Sequence, residues 1–116
     1  MGLDKIEKEW ITDLSDRLEE NDETISLKIV KRTNTSVKYS RKKFNFFNRN
    51  MKSVPEYHSL KSKDIKLLYL PYRVIVNIGR EEVEYDVHEC KKKDGGYKLI
   101  SITSMMTTVE LVIKFD

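Results

Sequence analysis

Apolar residues recur along the chain first with helical and then with strand spacing. Ile6, Trp10, Leu14 and Leu18 follow one another at four-residue steps, and Leu3 and Ile11 fall on the same side, gathering these residues within about 140° of a helical wheel. Asp4 and Glu7 have the spacing of a capping box, and Asn21 with Asp22 supplies a stop. The pattern predicts an amphipathic helix over 4–20. From Thr24 the period falls to two: Ile25, Leu27 and Ile29 alternate with Ser26, Lys28 and Val30, as in a half-buried strand.

A turn cluster at Thr33, Asn34 and Thr35 leads to a second alternation, Val37 and Tyr39 against Lys38 and Ser40. It extends toward Phe47 and predicts a hairpin with the first strand. Residues 48–63 hold no sustained period and read as a loop or short helix. Four strand-like runs follow, Tyr72–Ile78, Val83–Cys90, Tyr97–Thr103 and Val109–Phe115, and predict an antiparallel meander. Gly79 with Arg80 marks its first turn, Asp94, Gly95 and Gly96 offer the positive φ of a tight hairpin, and Ser104–Thr107 bridges the last pair. Pro71 has no amide to donate and belongs at a strand start, a bulge or an edge.

These elements give an α+β fold in one domain, 1–116: helix 4–20, basic hairpin and loop 24–63, four-stranded meander 65–115. The helix packs on a mostly antiparallel curved sheet of about six strands. The run YDVHECKKKDGGYKLISI resembles strand pairs of cystatin-like and NTF2-like folds. The resemblance implies a two-layer arrangement. In its NTF2-like form it also implies a pocket in the sheet's concavity, with Tyr69, Tyr72, Tyr85 or His88 as polar contacts to a small ligand.

A chain of 116 residues with 39% hydrophobic and 35% charged residues closes one core under a heavily ionised surface. Cys90 is the sole cysteine, which excludes an intramolecular disulfide framework and a structural zinc cluster and fits a reducing, cytoplasmic setting. The first ten residues carry acids and no continuous apolar run, unlike a secretory signal. The longest apolar stretch, Leu67–Val76, is broken by Pro71 and Arg73 and falls short of the roughly 20 residues of a membrane span. Ile6 stands where a myristoylation signal needs Ser or Thr. No membrane partner is expected.

Charge redraws the picture. Residues 1–24 hold three bases and nine acids, residues 25–63 eleven bases and one acid, and residues 64–116 eight bases and nine acids. The overall net of +3 therefore conceals an acidic helix followed by a strongly basic segment. Within that segment Lys38, Arg41, Lys42, Lys43, Arg49 and Lys52 are interleaved with Tyr39, Phe44, Phe46 and Phe47. Such a mixture holds phosphates while stacking bases; it also describes an exposed strand with aromatics turned inward and lysines outward. The acidic helix face of Glu9, Asp13, Asp16 and Glu20 is that of a solvated helix, and it neutralises part of the basic block if the two lie side by side.

Catalytic chemistry is poorly represented. Glu89, Cys90 and Lys91 resemble the acid-x-Lys motif of PD-(D/E)xK metal-dependent nucleases, but Tyr72–Ile78 lacks the partner Asp, and Asp64 and Asp86 are badly placed to supply it. His88 and Cys90 form a conceivable nucleophile pair on a strand face with Glu82, Glu84 and Asp86, an acidic setting that disfavours a thiolate. His58 reads as a surface residue, and no glycine-rich phosphate loop exists. The expectation is a non-catalytic, inhibitor-type binding protein without cofactor or metal. Its basic, aromatic-rich surface meets nucleic acid or an acidic groove of a partner protein, as in a viral or mobile-element antagonist of a nucleic-acid-processing enzyme. Direct nucleic-acid binding and an NTF2-like pocket protein or enzyme are the alternatives, and a homodimer through the sheet or through Met105 and Met106 is a further option.

Overall fold

Helix α1 spans Lys5–Glu20 and begins as its sequence requires. Asp4 Oδ1 accepts from the Glu7 amide at 2.8 Å while Glu7 Oε1 accepts from the Asp4 amide at 3.0 Å, closing the capping box. Asn21 ends it in extended conformation, its amide donating to the Arg17 carbonyl at 3.2 Å. The computed structural model describes residues 3–33, 55–104 and 107–116. In it Ile11, Leu14, Ser15 and Leu18 form the buried stripe of α1, whereas Ile6 is 55% exposed and Trp10 only half-buried. The helix turns its middle to the core and lifts its first turn away.

Eight strands follow among the described residues: β1 (Thr24–Thr33), β2 (Glu56–Lys61), β3 (Ile65–Leu68), β4 (Arg73–Ile78), β5 (Glu81–Asp86), β6 (Glu89–Lys93), β7 (Gly96–Ser104) and β8 (Thr107–Phe115). They form two sheets, one of five strands in the order β2-β1-β8-β7-β6 and one of three in the order β3-β4-β5, every pair antiparallel. The fold is α+β, with one helix against antiparallel sheets.

One buried cluster draws on all three parts. Ile25, Leu27 and Ile29 of β1 meet Leu111 and Ile113 of β8, Leu99 of β7 and Cys90 of β6. Ile65, Leu67, Val74 and Val76 of the smaller sheet close the same cluster, with Ile11 and Leu14 of α1. The helix touches both β6 and β3 and so lies over the junction of the two sheets. A 3-10 turn at Ser62–Asp64 joins β2 to β3. Its Ser62 amide donates to the Glu23 carbonyl at 2.9 Å, and its hydroxyl donates to the Asn21 carbonyl. Arg17 fixes the other end of this corner, bonding both carboxylate oxygens of Glu23 at 2.8 and 2.9 Å while its guanidinium lies 3.8 Å from the centre of the Phe115 ring.

The structure departs from the sequence reading in three places. Among the described residues the partners of β1 are β8 and β2, and β2 lies in the stretch expected to be a loop or short helix. The expected second strand, Val37 to Phe47, lies outside the described residues. The run Val83–Cys90 is not one strand: the chain leaves the smaller sheet at Asp86 and enters the larger one at Glu89, so the expected four-stranded meander is split between two sheets and the single sheet of about six strands becomes five plus three. At that junction the Val87 amide donates to the Tyr72 carbonyl at 2.9 Å and the His88 amide to the Ile100 carbonyl at 2.8 Å, one bond to each sheet. The turns fall as expected. Gly79 has φ +64° and Gly95 φ +80°, and Pro71 stands just before β4. Gly96 instead belongs to β7.

Candidate functional site

Residues directly opposite one another in a sheet share a face, so the register of the five-stranded sheet fixes what its outer side presents. One row crosses all five strands as Tyr57, Lys28, Val112, Lys98 and Lys91, and the next as Ser59, Ser26, Lys114, Gly96 and Lys93. Strands lie about 4.8 Å apart and successive same-face residues about 6.8 Å apart, so these two rows form a band about 19 Å long. It carries five lysines and no carboxylate.

The flanking rows differ. On one side Val30, Glu110, Ile100 and Glu89 line up, then Arg32, Thr108 and Ile102. On the other are Lys61, Thr24 and Asp116. Glu110 is shared by two cations, its Oε2 3.2 Å from Arg32 Nε and its Oε1 3.3 Å from Lys98 Nζ. This arrangement holds Lys98 in place and leaves the trio one positive charge. Asp116 accepts from the Ser26 hydroxyl at 3.1 Å. Lys28, Lys91, Lys93 and Lys114 make no ion pair with a described residue. An open cleft of about 690 Å³ runs over this face, lined by Lys28, Arg32, Tyr57, Lys93, Lys98 and Lys114 among others.

Lysines on an end strand discourage edge-to-edge pairing, which accounts for Lys91, Lys92 and Lys93 on β6. It does not account for Lys28, Lys114 and Lys98 on the inner strands β1, β8 and β7. Nor does stability, since exposed ion pairs contribute only about 0–1 kcal/mol and most of these lysines have none.

The candidate residues named from the sequence, Lys38, Tyr39, Arg41, Lys42, Lys43, Phe44, Phe46, Phe47, Arg49 and Lys52, lie outside the described residues, as do Met105 and Met106. β1, which carries Lys28 and Arg32, precedes that run in the sequence. The cations of β6, β7 and β8 were missed because segment counting averages them away. The acids of the same segment, Glu81, Glu82, Glu84 and Asp86, sit on β5 of the other sheet. The available signal was the alternation of Lys91 with Lys93, legible only once its strand was known to face Lys98.

The acid-x-Lys motif is divided between two faces: Glu89 and Lys91 are exposed on β6, and Cys90 is fully buried between them. Asp64 and Asp86 lie elsewhere, Asp64 accepting from the Lys61 amide at 2.9 Å and Asp86 opposite Arg73 on the smaller sheet. Among the described residues no three metal-ligating side chains converge. His88 and Cys90 do not share a face with Glu82 and Glu84, because the chain changes sheet between them. His88 Nδ1 accepts from the Ile102 amide at 3.0 Å. Tyr69 stacks edge-on against Tyr72 at 5.5 Å, and Tyr72 and Tyr85 lean on the core.

Burial, reinforced by the nearby Glu7 carboxylate, pushes the Cys90 thiol up to about 12. Glu7 Oε2 also accepts from the Cys90 amide at 3.0 Å, so one carboxylate caps α1 and anchors β6. Two outcomes are expected. Iodoacetamide leaves Cys90 unmodified near neutral pH until the protein is unfolded, as followed by mass spectrometry. The folded state's thiol titrates above its ordinary value of 9.0, so the unfolded chain ionises first, and stability is full below pH 9.0 and falls toward about pH 12. Burial of Tyr97 adds loss of the same sign above its ordinary 10.0. Urea titrations across this range, with Cys90→Ala as control, measure the slope.

No helix among the described residues is long and apolar enough to cross a membrane. Comparison with known proteins supplies no family for this face: no protein-family model matches the chain, and neither a curated protein nor a solved structure matches it.

Proposed function

We propose that the protein is a non-catalytic binding protein that holds nucleic acid on the outer face of its five-stranded sheet and acts by occupying it. The observation that carries this reading is the carboxylate-free band of Lys28, Lys98, Lys91, Lys114 and Lys93, assembled from four strands. A lattice of cations at strand spacing offers repeated contacts to a ligand whose charges repeat, and each phosphate it neutralises releases a condensed counterion. Occupation of the strand excludes any enzyme that must process it, which keeps the mechanism one of occlusion.

Fluorescence anisotropy with a labelled oligonucleotide tests the proposal. Wild-type affinity is expected to fall steeply with salt, and the double variant Lys28→Glu, Lys114→Glu to weaken binding at least ~100-fold, since two neutralised contacts become two repulsive ones. Both side chains point away from the core, so the variant is expected to melt like the wild type. Absence of binding at low salt, or a double variant that binds as well as the wild type, overturns the proposal and leaves an acidic protein groove as the partner.

A further inference from the structure

The lysine band ends on an aromatic ring, and the ring separates one form of nucleic acid from another. Tyr57 is 71% exposed on β2, opposite Lys28, whose Nζ lies 5.9 Å from the ring centroid. In a duplex the bases are stacked on one another, and a protein ring gains a base only where that stack is open.

The width of the band points the same way. Its two rows are about 6.8 Å apart, the separation of successive same-face residues. Glu110 and Glu89 bound it on one side and Asp116 on the other. One phosphodiester backbone fits between those carboxylates. The second backbone of a duplex, displaced by a groove width of about 6–12 Å, falls over them.

We infer that the ligand of this face is a single strand laid across the β-strands, with one base stacked on Tyr57 and its phosphates following Lys28, Lys114 and Lys93 toward β6. The inference rests on the nucleic-acid reading above and specifies its substrate class.

The experiment compares a labelled oligothymidylate of about 15 nucleotides with a mixed-sequence duplex of the same length, by anisotropy at low salt. The single strand is expected to bind at least ~10-fold tighter. Tyr57→Ala is expected to weaken that binding on the order of tenfold while leaving duplex binding unchanged, and Tyr57→Phe to retain it, because the ring and not the hydroxyl makes the stack. Thermal melting of both variants establishes that the exposed site tolerates them. A duplex that binds as tightly as the single strand, or a Tyr57→Ala variant that binds the single strand unchanged, overturns the inference while the nucleic-acid reading stands. Failure of the wild type to bind either probe overturns both.

Discussion

Substituting alanine for Gly96 is expected to destabilise the protein by about 3 kcal/mol or more, the upper end of what overpacking costs. An ideal Cβ at this position falls 1.9 Å from the Ile113 carbonyl oxygen, and 2.9 Å from both the Ile113 carbonyl carbon and the Lys114 Cα. All three are main-chain atoms of β8, the middle strand of the larger sheet, so no side-chain rotation relieves the contact. The neighbouring Gly95 makes the control. Its φ of +80° strains any L-residue, yet a Cβ there meets nothing within 4 Å. Gly95→Ala should therefore cost only about 1–2 kcal/mol of left-handed strain. Urea denaturation of the two variants is expected to rank them wild type, Gly95→Ala, then Gly96→Ala at a distance. Equal costs would show that β7 and β8 do not approach so closely at Gly96.

The second large effect concerns α1. Leu14 is fully buried, and the helix that carries it touches both sheets, so truncation to alanine opens a cavity in the cluster that α1, the larger sheet and the smaller sheet share. Leu14→Ala is expected to cost about 3 kcal/mol, within the range of roughly 2–5 for buried leucines. Glu9→Ala on the exposed side should change stability by less than about 0.5 kcal/mol. Thermal unfolding followed by far-ultraviolet circular dichroism reports both. A Leu14→Ala variant that melts like Glu9→Ala would mean that the helix is not part of the common core.

The elements legible in the sequence are those whose signals are local. The capping box at Asp4 and Glu7, the alternation of Ile25, Leu27 and Ile29, and the glycines of the two tight turns each act within a few residues, and the structure uses them as they read. β2 was hidden because it ends its sheet: Glu56, Tyr57 and Ser59 are exposed and only Leu60 leans on the core, leaving too little apolar period to detect. The switch between sheets at Val87 and His88 was hidden for a different reason. Alternation continues unbroken from Val83 to Cys90, and only hydrogen bonds to residues far along the chain, Tyr72 and Ile100, show that the strand has ended. The basic face failed to show for that same reason. Its lysines sit on β1, β6, β7 and β8, and the acids that balance them in the sequence belong to the other sheet. A charge tally along a chain is a poor guide wherever neighbouring strands are distant in sequence.

The placement of β8 between β1 and β7 bears on how the protein reaches its native state. Ile25 stands opposite Phe115 and Thr33 opposite Thr107, so the longest ladder of the larger sheet joins the first strand to the last. Until β8 arrives, β1 and β7 have no common neighbour, and the hairpin units on either side remain separate pieces. Closing such a distant pairing pays a large loop entropy before any contact rewards it, so assembly belongs to the slow regime of about milliseconds to seconds typical of non-local β topologies. During that interval the basic strand β1 is without its inner neighbour, and the repulsion among its lysines and those of the later hairpin delays the collapse of the unfinished sheet.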